Sequence, residues 1–191
     1  MLTFDHVFFS FEEKKILHDF SLNIEKGEIV ALMGESGIGK STLLNLAAGL
    51  LHPQKGSVNN LSTRISYAFQ EPRLFPWMTA LENVNAVLSG KKATLPAAQQ
   101  ALDFVCLGND AQLYPHELSG GMKTRVSIAR AIAYDGDLYL LDEPFSALDA
   151  ELRDKILLSL RNYLKEKGAT ALFVTHSAEE AARFADRVVS I

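Results

Sequence analysis

The residues best equipped for chemistry stand together at Gly34-Glu35-Ser36-Gly37-Ile38-Gly39-Lys40-Ser41-Thr42, in the order G-x-x-x-x-G-K-[ST]. Gly34, Gly37 and Gly39 allow the backbone to turn sharply and to approach phosphate oxygens. The amides from Gly37 to Lys40 can form an anion-binding nest. Lys40 offers a point charge to β- and γ-phosphates, and Ser41 offers a hydroxyl to Mg²⁺. A glycine-rich turn could match by accident. With glycine near ~7% of residues, that happens in about one chain in a hundred of this length.

A second group lies downstream. Asp142 and Glu143 end the apolar run Leu138-Tyr139-Leu140-Leu141. Beside a phosphate loop, Asp142 would hold Mg²⁺ through water, and Glu143 is placed to polarise an attacking water. The alternative is a pair of carboxylates capping the next helix.

These groups need rigid supports. Glu28 to Met33 is a short apolar segment suited to a buried parallel strand, and Thr42 to Gly49 is a helix-forming run closed by glycine. The loop thus joins a strand end to a helix N-terminus, where free N–H groups and the helix dipole attract anions. Lys26-Gly27 and His52 to Gly56 read as turns. Strands are expected at Arg64–Phe69, Asp137–Glu143, Ala169–Val174 and Arg187–Ile191. Helices are expected at Ala150–Lys167, with Leu148, Leu152, Ile156, Leu160 and Leu164 on one stripe, and at Ala178–Ala185. Leu2–Phe9 and Ile16–Ile24 alternate apolar residues around Glu12-Glu13-Lys14-Lys15, which predicts an antiparallel hairpin at the edge of the sheet. No strand signal interrupts Pro72 to Ala133. That stretch reads as a helical insertion of about 60 residues in an alternating α/β chain. Its helices are Thr79–Leu88, with Thr79 and Glu82 as a capping box, Pro96–Leu107 and Met122–Tyr134.

Weaker candidates carry two readings each. Phe11, at the hairpin turn, could stack on a base or fold onto the sheet. Gln70, at a strand end, could reach Mg²⁺ or water, or be an ordinary loop residue. Leu118-Ser119-Gly120-Gly121-Met122 opens a helix and is either a further anion site or a plain cap. His176 also ends a strand on the phosphate-binding side. Glu71 to Met78 is apolar and punctuated by proline, so it is either a docking surface or a loop buried against its own domain.

The chain of 191 residues suits one domain with a subdomain, and 48% hydrophobic residues supply a core. A net charge of −4 implies no basic face for nucleic acid. The single Cys106, placed in an apolar helical run, excludes an internal disulfide and reads as a small buried hydrophobe in a reducing compartment. Met1 to His6 lacks the basic start and apolar segment of a signal peptide. No apolar run approaches the ~20 residues that span a membrane.

Taken in order, these markers resemble the ATP-binding cassette ATPases, the motor subunits of ABC transporters, over essentially the whole chain. Phe11 takes the place of the adenine-stacking aromatic and Gly34–Thr42 that of Walker A. Gln70 matches the Q-loop, Leu118–Met122 the signature, Leu138–Glu143 Walker B, Ser146–Asp149 the D-loop and His176 the switch histidine. The resemblance implies an α/β fold: a P-loop NTPase core with a mostly parallel sheet, an N-terminal antiparallel β subdomain and an α-helical insertion subdomain. Residues 1–71 and 134–191 would form the core, and about 72–133 the helical part. It implies ATP and Mg²⁺ as cofactors, with Ser41, Gln70 and Asp142 at the metal. It implies a head-to-tail homodimer in which Ser119, Gly120 and Gly121 of one copy face the nucleotide of the other, Ser119 and Gly121 donate to its γ-phosphate, and Asp149 links the two sites. Catalysis would rest on Glu143, His176, Lys40 and Gln70.

A membrane permease would dock near Gln70–Thr79, and a solute-binding protein would complete the complex, at the cytoplasmic face of a bacterial inner membrane. Arg73 to Thr79 looks like the importer branch for nitrate, sulfonate or taurine. Two residues depart from the pattern: Met122 replaces the usual signature glutamine, and Thr124 stands where many members have glutamine. The chain stops soon after His176, with no regulatory C-terminal domain expected, which implies a reduced partner interface or a truncated form. Soluble cassette ATPases of repair, translation or cluster assembly, or a regulatory module with little turnover, are the competing expectations.

Overall fold

The structure, a computed structural model, describes residues 1–12, 14–88 and 95–191. Glu13 of the expected hairpin connection and residues 89–94 of the expected insertion lie outside the described residues.

Two sheets share a core. Strands β1 (Leu2–Phe11), β2 (Lys14–Ile24) and β4 (Lys55–Asn60) form an antiparallel sheet in the order β2-β1-β4. Strands β3 (Ile29–Met33), β5 (Ile65–Ala68), β6 (Leu138–Asp142), β7 (Thr170–Val174) and β8 (Arg187–Ser190) form a parallel sheet in the order β5-β6-β7-β3-β8. The hairpin therefore does not edge the parallel sheet, as its alternation alone suggested. It belongs to a sheet of its own, because β4 pairs with β1 along Leu2–Phe8. The stretch read as a turn ending at Gly56 is already strand from Lys55. Gly56, at φ 80°, lies so close to the carbonyls of Asp5 and His6 that a Cβ would fall 2.1 Å from His6 O. Only a residue without a side chain permits that pairing.

Strand alternation divides the core into two layers. Val30, Leu32, Leu138, Leu140, Leu172 and Val174 face the antiparallel sheet and helix α1 (Lys40–Ala47). Ile29, Ala31, Tyr139, Leu141, Ala171 and Phe173 face the helices beyond: α2 (Ala80–Asn85, continued by a 3₁₀ turn Ala86–Leu88), α3 (Leu95–Phe104), α4 (Gly120–Tyr134), α5 (Ala150–Lys167) and α6 (Ala178–Phe184). Both faces of β3, β6 and β7 are covered, which is why these strands read as unbroken apolar runs.

The α5 stripe is observed: Ile156, Leu160 and Leu164 are buried, while Leu148 and Leu152 pack partly against them. Each full burial of that kind contributes about 1.5–3 kcal/mol. Asp149 caps α5 through Leu152 N–H, and Gly168 ends it in the left-handed conformation. Cys106 is a correction. Helix α3 ends at Phe104, and Cys106 sits beyond it at φ 56°, half-buried rather than enclosed in a helix. Among the described residues, no helix is long and apolar enough to cross a membrane.

Candidate active site

The carboxyl ends of β3, β6 and β7 meet at one rim of the parallel sheet, where open α/β folds bind ligands. Beyond β3 the chain turns through Gly34–Gly39 into α1. Gly39 sits at φ 116°, and a Cβ there would lie 2.6 Å from Ile16 Cγ2 of β2. The antiparallel sheet thus lies over the loop, and glycine alone suits both the backbone angle and the space. Lys40 is buried at 5% exposure and curls back, donating from Nζ to the carbonyls of Gly34 (2.8 Å) and Glu35 (2.7 Å). Its charge is held inside the curve of the loop.

A cleft of about 310 Å³ opens there. Its walls bring together Ser36, Gly37, Gly39, Lys40, Ser41 and Thr42 of the loop, Gln70 after β5, Glu143 after β6, His176 after β7, and Phe11 from β1. Residues up to 165 positions apart in sequence face one space. Phe11 stays half exposed, with its edge against Phe9. A larger hollow of about 580 Å³, lined by Lys26, Thr63, Asp137 and Lys167 among others, lies at the amino ends of the strands. It holds none of the candidate phosphate-binding groups, so the smaller cleft is the candidate site.

Asp142 fits the role of a metal carboxylate. It is 5% exposed, and its Oδ1 is buried without a hydrogen-bond partner. Burial raises its pKa above the ordinary carboxylate range, with the charge of Glu143 adding to the rise. A hydrogen bond from Ser41 and the charge of Lys40 oppose it. An unpaired buried oxygen beside a serine hydroxyl is a hard-donor pair suited to Mg²⁺. Among the described residues, no cluster of three His, Cys, Asp or Glu side chains could hold a metal unaided. The remaining ligands must come from phosphate and water, as is usual for Mg²⁺.

Glu143 and His176 form a pair, with His176 Nε2 2.7 Å from Glu143 Oε1. Glu143 has φ 48°, an uncommon backbone for a residue with a Cβ. Its N–H bonds Val174 O of β7 (3.1 Å), and its carbonyl accepts from Ser146 Oγ (3.0 Å), so both neighbours hold it in that conformation.

The signature stands apart. Ser119 caps α4 through Met122 N–H at 3.2 Å. Ser119, Gly121 and Met122 line a separate hollow with Ala147, Asp149 and Leu152, sharing no residue with the phosphate cleft. A Cβ on Gly121 would lie 2.7 Å from Ala147 O, so this glycine is needed for close packing of the first turn of α4 against the loop before α5. Met122 packs partly into the helical core.

Two contributors went unread in the sequence. Ile16 covers the loop, and nothing in its surroundings marked it. Asn83, fully buried in α2, braces the segment after Gln70: its Oδ1 accepts from Phe75 N–H (2.8 Å), and its Nδ2 donates to the carbonyls of Phe75 (3.2 Å), Met78 (3.0 Å) and Thr79 (3.0 Å). Nothing in the order Leu81-Glu82-Asn83-Val84-Asn85 set Asn83 apart from Asn85. The capping box is present as expected, with Thr79 Oγ1 accepting from Glu82 N–H and Glu82 Oε2 accepting from Thr79 N–H. The braced loop leaves Phe75 41% and Trp77 70% exposed, while Leu74 packs inward.

A family model described as ABC transporter matches residues 17–146. The chain is 42% identical over 182 residues to an aliphatic sulfonates import ATP-binding protein of Paracoccus denitrificans, covering 94% of this chain and 74% of that one. It is 38% identical over 199 residues to an Fe(3+) ions import ATP-binding protein of Haemophilus influenzae, covering 95% of this chain and 57% of that one. A nitrate import ATP-binding protein of Synechococcus elongatus is 43% identical over 188 residues, 92% of this chain and 28% of the relative. Among solved structures, a dimeric ATP-binding cassette in a post-hydrolysis state with ADP and Pi superposes with a TM-score of 0.90 at 34% identity, covering 100% of this chain and 94% of that one.

The chain belongs to the ABC transporter family. Its fold is that family's ATP-hydrolysing cassette.

Proposed function

We propose that the chain is the ATP-hydrolysing subunit of an import transporter, in which two copies close head to tail around ATP and drive a separate membrane permease. The observation that carries this reading is the Glu143–His176 pair at 2.7 Å, facing the same cleft as Lys40. Lys40 and the amides of Gly37–Lys40 bind the β- and γ-phosphates, and Phe11 covers the adenine face. Ser41, Asp142 and Gln70 would hold Mg²⁺, which when bound would supply charge neutralisation at the phosphoryl oxygens. Glu143 polarises the attacking water, and His176 fixes Glu143 and contacts the γ-phosphate. Positioned charge, rather than covalent chemistry, accounts for the rate.

Ser119, Gly120 and Gly121 of a second copy supply donors to the far side of the γ-phosphate, and Asp149, beside the signature hollow, links the two sites. Support comes from the exposure of Ser119 and Gly120, away from the phosphate cleft of their own chain. Shared charge holds the pair shut, and hydrolysis removes the bridge. The permease docks on Phe75 and Trp77 at the cytoplasmic face of the membrane, and a solute-binding protein delivers cargo. Relatives named for sulfonate, nitrate and iron import agree with the importer branch and leave the cargo to the other subunits.

The test is Glu143→Gln. ATP affinity should hold within a few-fold, turnover should fall about 10²–10⁴-fold, the range for loss of a general base, and ATP should drive a stable dimer on gel filtration. Normal turnover in that variant would remove Glu143 from the mechanism.

A further inference from the structure

We infer that Thr175 and Glu180 form a positioning ring that aims His176 at Glu143; the inference rests on the role given to His176 above. Three hydrogen bonds close the ring. Ser177 N–H donates to Thr175 Oγ1 (3.0 Å), Thr175 Oγ1 donates its own proton to Glu180 Oε2 (2.5 Å), and Glu180 N–H donates to Ser177 Oγ (3.2 Å). The middle bond runs from hydroxyl to carboxylate, Thr175 being the donor. His176 lies between the two residues whose backbone the ring fixes.

The contrast in burial is informative. Thr175 is 3% and Glu180 8% exposed, whereas the His176 side chain is 46% exposed. An imidazole so exposed has little packing beyond its contact with Glu143 to select its rotamer, so the backbone beneath it helps to set its aim. That backbone is anchored on the strand side by Thr175 N–H to Leu32 O (3.3 Å) and on the helix side by the ring. Glu180 is also more than α6 needs. Ser177 already caps the helix, and a carboxylate buried there carries a desolvation cost that an apolar residue would avoid. Its Oε1 lies 3.9 Å from Arg153 Nε of α5, an opposite charge on the neighbouring helix.

Steady-state ATP turnover of the full chain tests the ring, using Thr175→Val, Thr175→Ser and Glu180→Ala, each also combined with His176→Ala. Thr175→Val keeps the side chain's shape, so it reports even if Glu180→Ala folds poorly. Thr175→Val and Glu180→Ala should each lower kcat about tenfold, a share of the ~10²–10⁴ available to proton transfer, with KM for ATP within about twofold. Thr175→Ser should restore kcat. In the His176→Ala background neither should cause further loss, since residues acting through one group are not additive. An equal further loss in that background, or no loss in the parent, overturns the inference. Unchanged turnover in His176→Ala alone overturns the role of His176 itself.

Discussion

One carboxylate oxygen of Asp142 is buried with nothing donating to it, and that is a standing cost to the unliganded fold. Folding raises this carboxyl's pKa, chiefly by burial, above the value it has in the unfolded chain. The folded state therefore holds the proton more tightly, and stability falls as pH rises from the ordinary carboxylate range through the raised value. Asp142→Asn removes the charge at similar volume. Without nucleotide, the substituted chain should melt higher at neutral pH, by about 2–4 °C for each kcal/mol relieved, and the gain should shrink toward roughly pH 4. Hydrolysis should be lost. Thermal scans at the two pH values check this, and an unchanged or lower midpoint at neutral pH would count against the carboxylate as an unpaired buried charge. The neighbouring Glu143 makes a related point: its φ of 48° is a strained conformation located where its side chain meets His176.

At the scale of elements, each strand that enters the candidate site presents its candidate residue at its carboxyl end or within two residues beyond it. β3 delivers the loop, β5 leads to Gln70, β6 to Asp142 and Glu143, and β7 to His176. The segment after Gln70 is held differently, by the amide of Asn83. Arg130 of α4 adds to this by donating to the carbonyls of Pro72 and Arg73. Asn83→Leu leaves Phe75 N–H and the Met78 carbonyl without their partner. It should cost about 1–3 kcal/mol and speed amide exchange across residues 74–79, while the amides of α4 stay protected. Equal protection of Phe75 in both proteins would show that the brace is not Asn83.

For the whole molecule, the phosphate cleft and the signature hollow are built from different residues, and the exposed aromatics Phe75 and Trp77 lie on the segment that follows Gln70. Such an arrangement allows nucleotide, a second copy and a membrane partner to be engaged together. Phe75→Ser combined with Trp77→Ser should leave ATP affinity unchanged and the melting point within about 2 °C, since surface substitutions usually stay within ±0.5 kcal/mol. Permease-stimulated turnover should fall toward the basal rate. Loss of ATP binding in that double variant would mean that the aromatics support the core.

The amino-acid order alone determined the local pieces. A buried strand needs a short apolar run, a capped helix needs its Thr79–Glu82 or Asp149 signal, and a phosphate nest needs Gly37 to Lys40; each depends on neighbours a few residues away. Among the described residues the strand it hid was β4, whose polar residues Lys55–Asn60 follow no apolar alternation and pair only because β1 lies alongside. What tertiary structure decided was everything set by contact between distant segments. Ile16 lies over Gly39, Asn83 braces Phe75, and Glu143 is turned to meet His176. Those contacts cross between separate strands and loops, so no spacing within one segment could encode them. The positions of the side chains in the cleft follow from sheet order, and sheet order follows from how two apolar layers close on both faces of β3, β6 and β7.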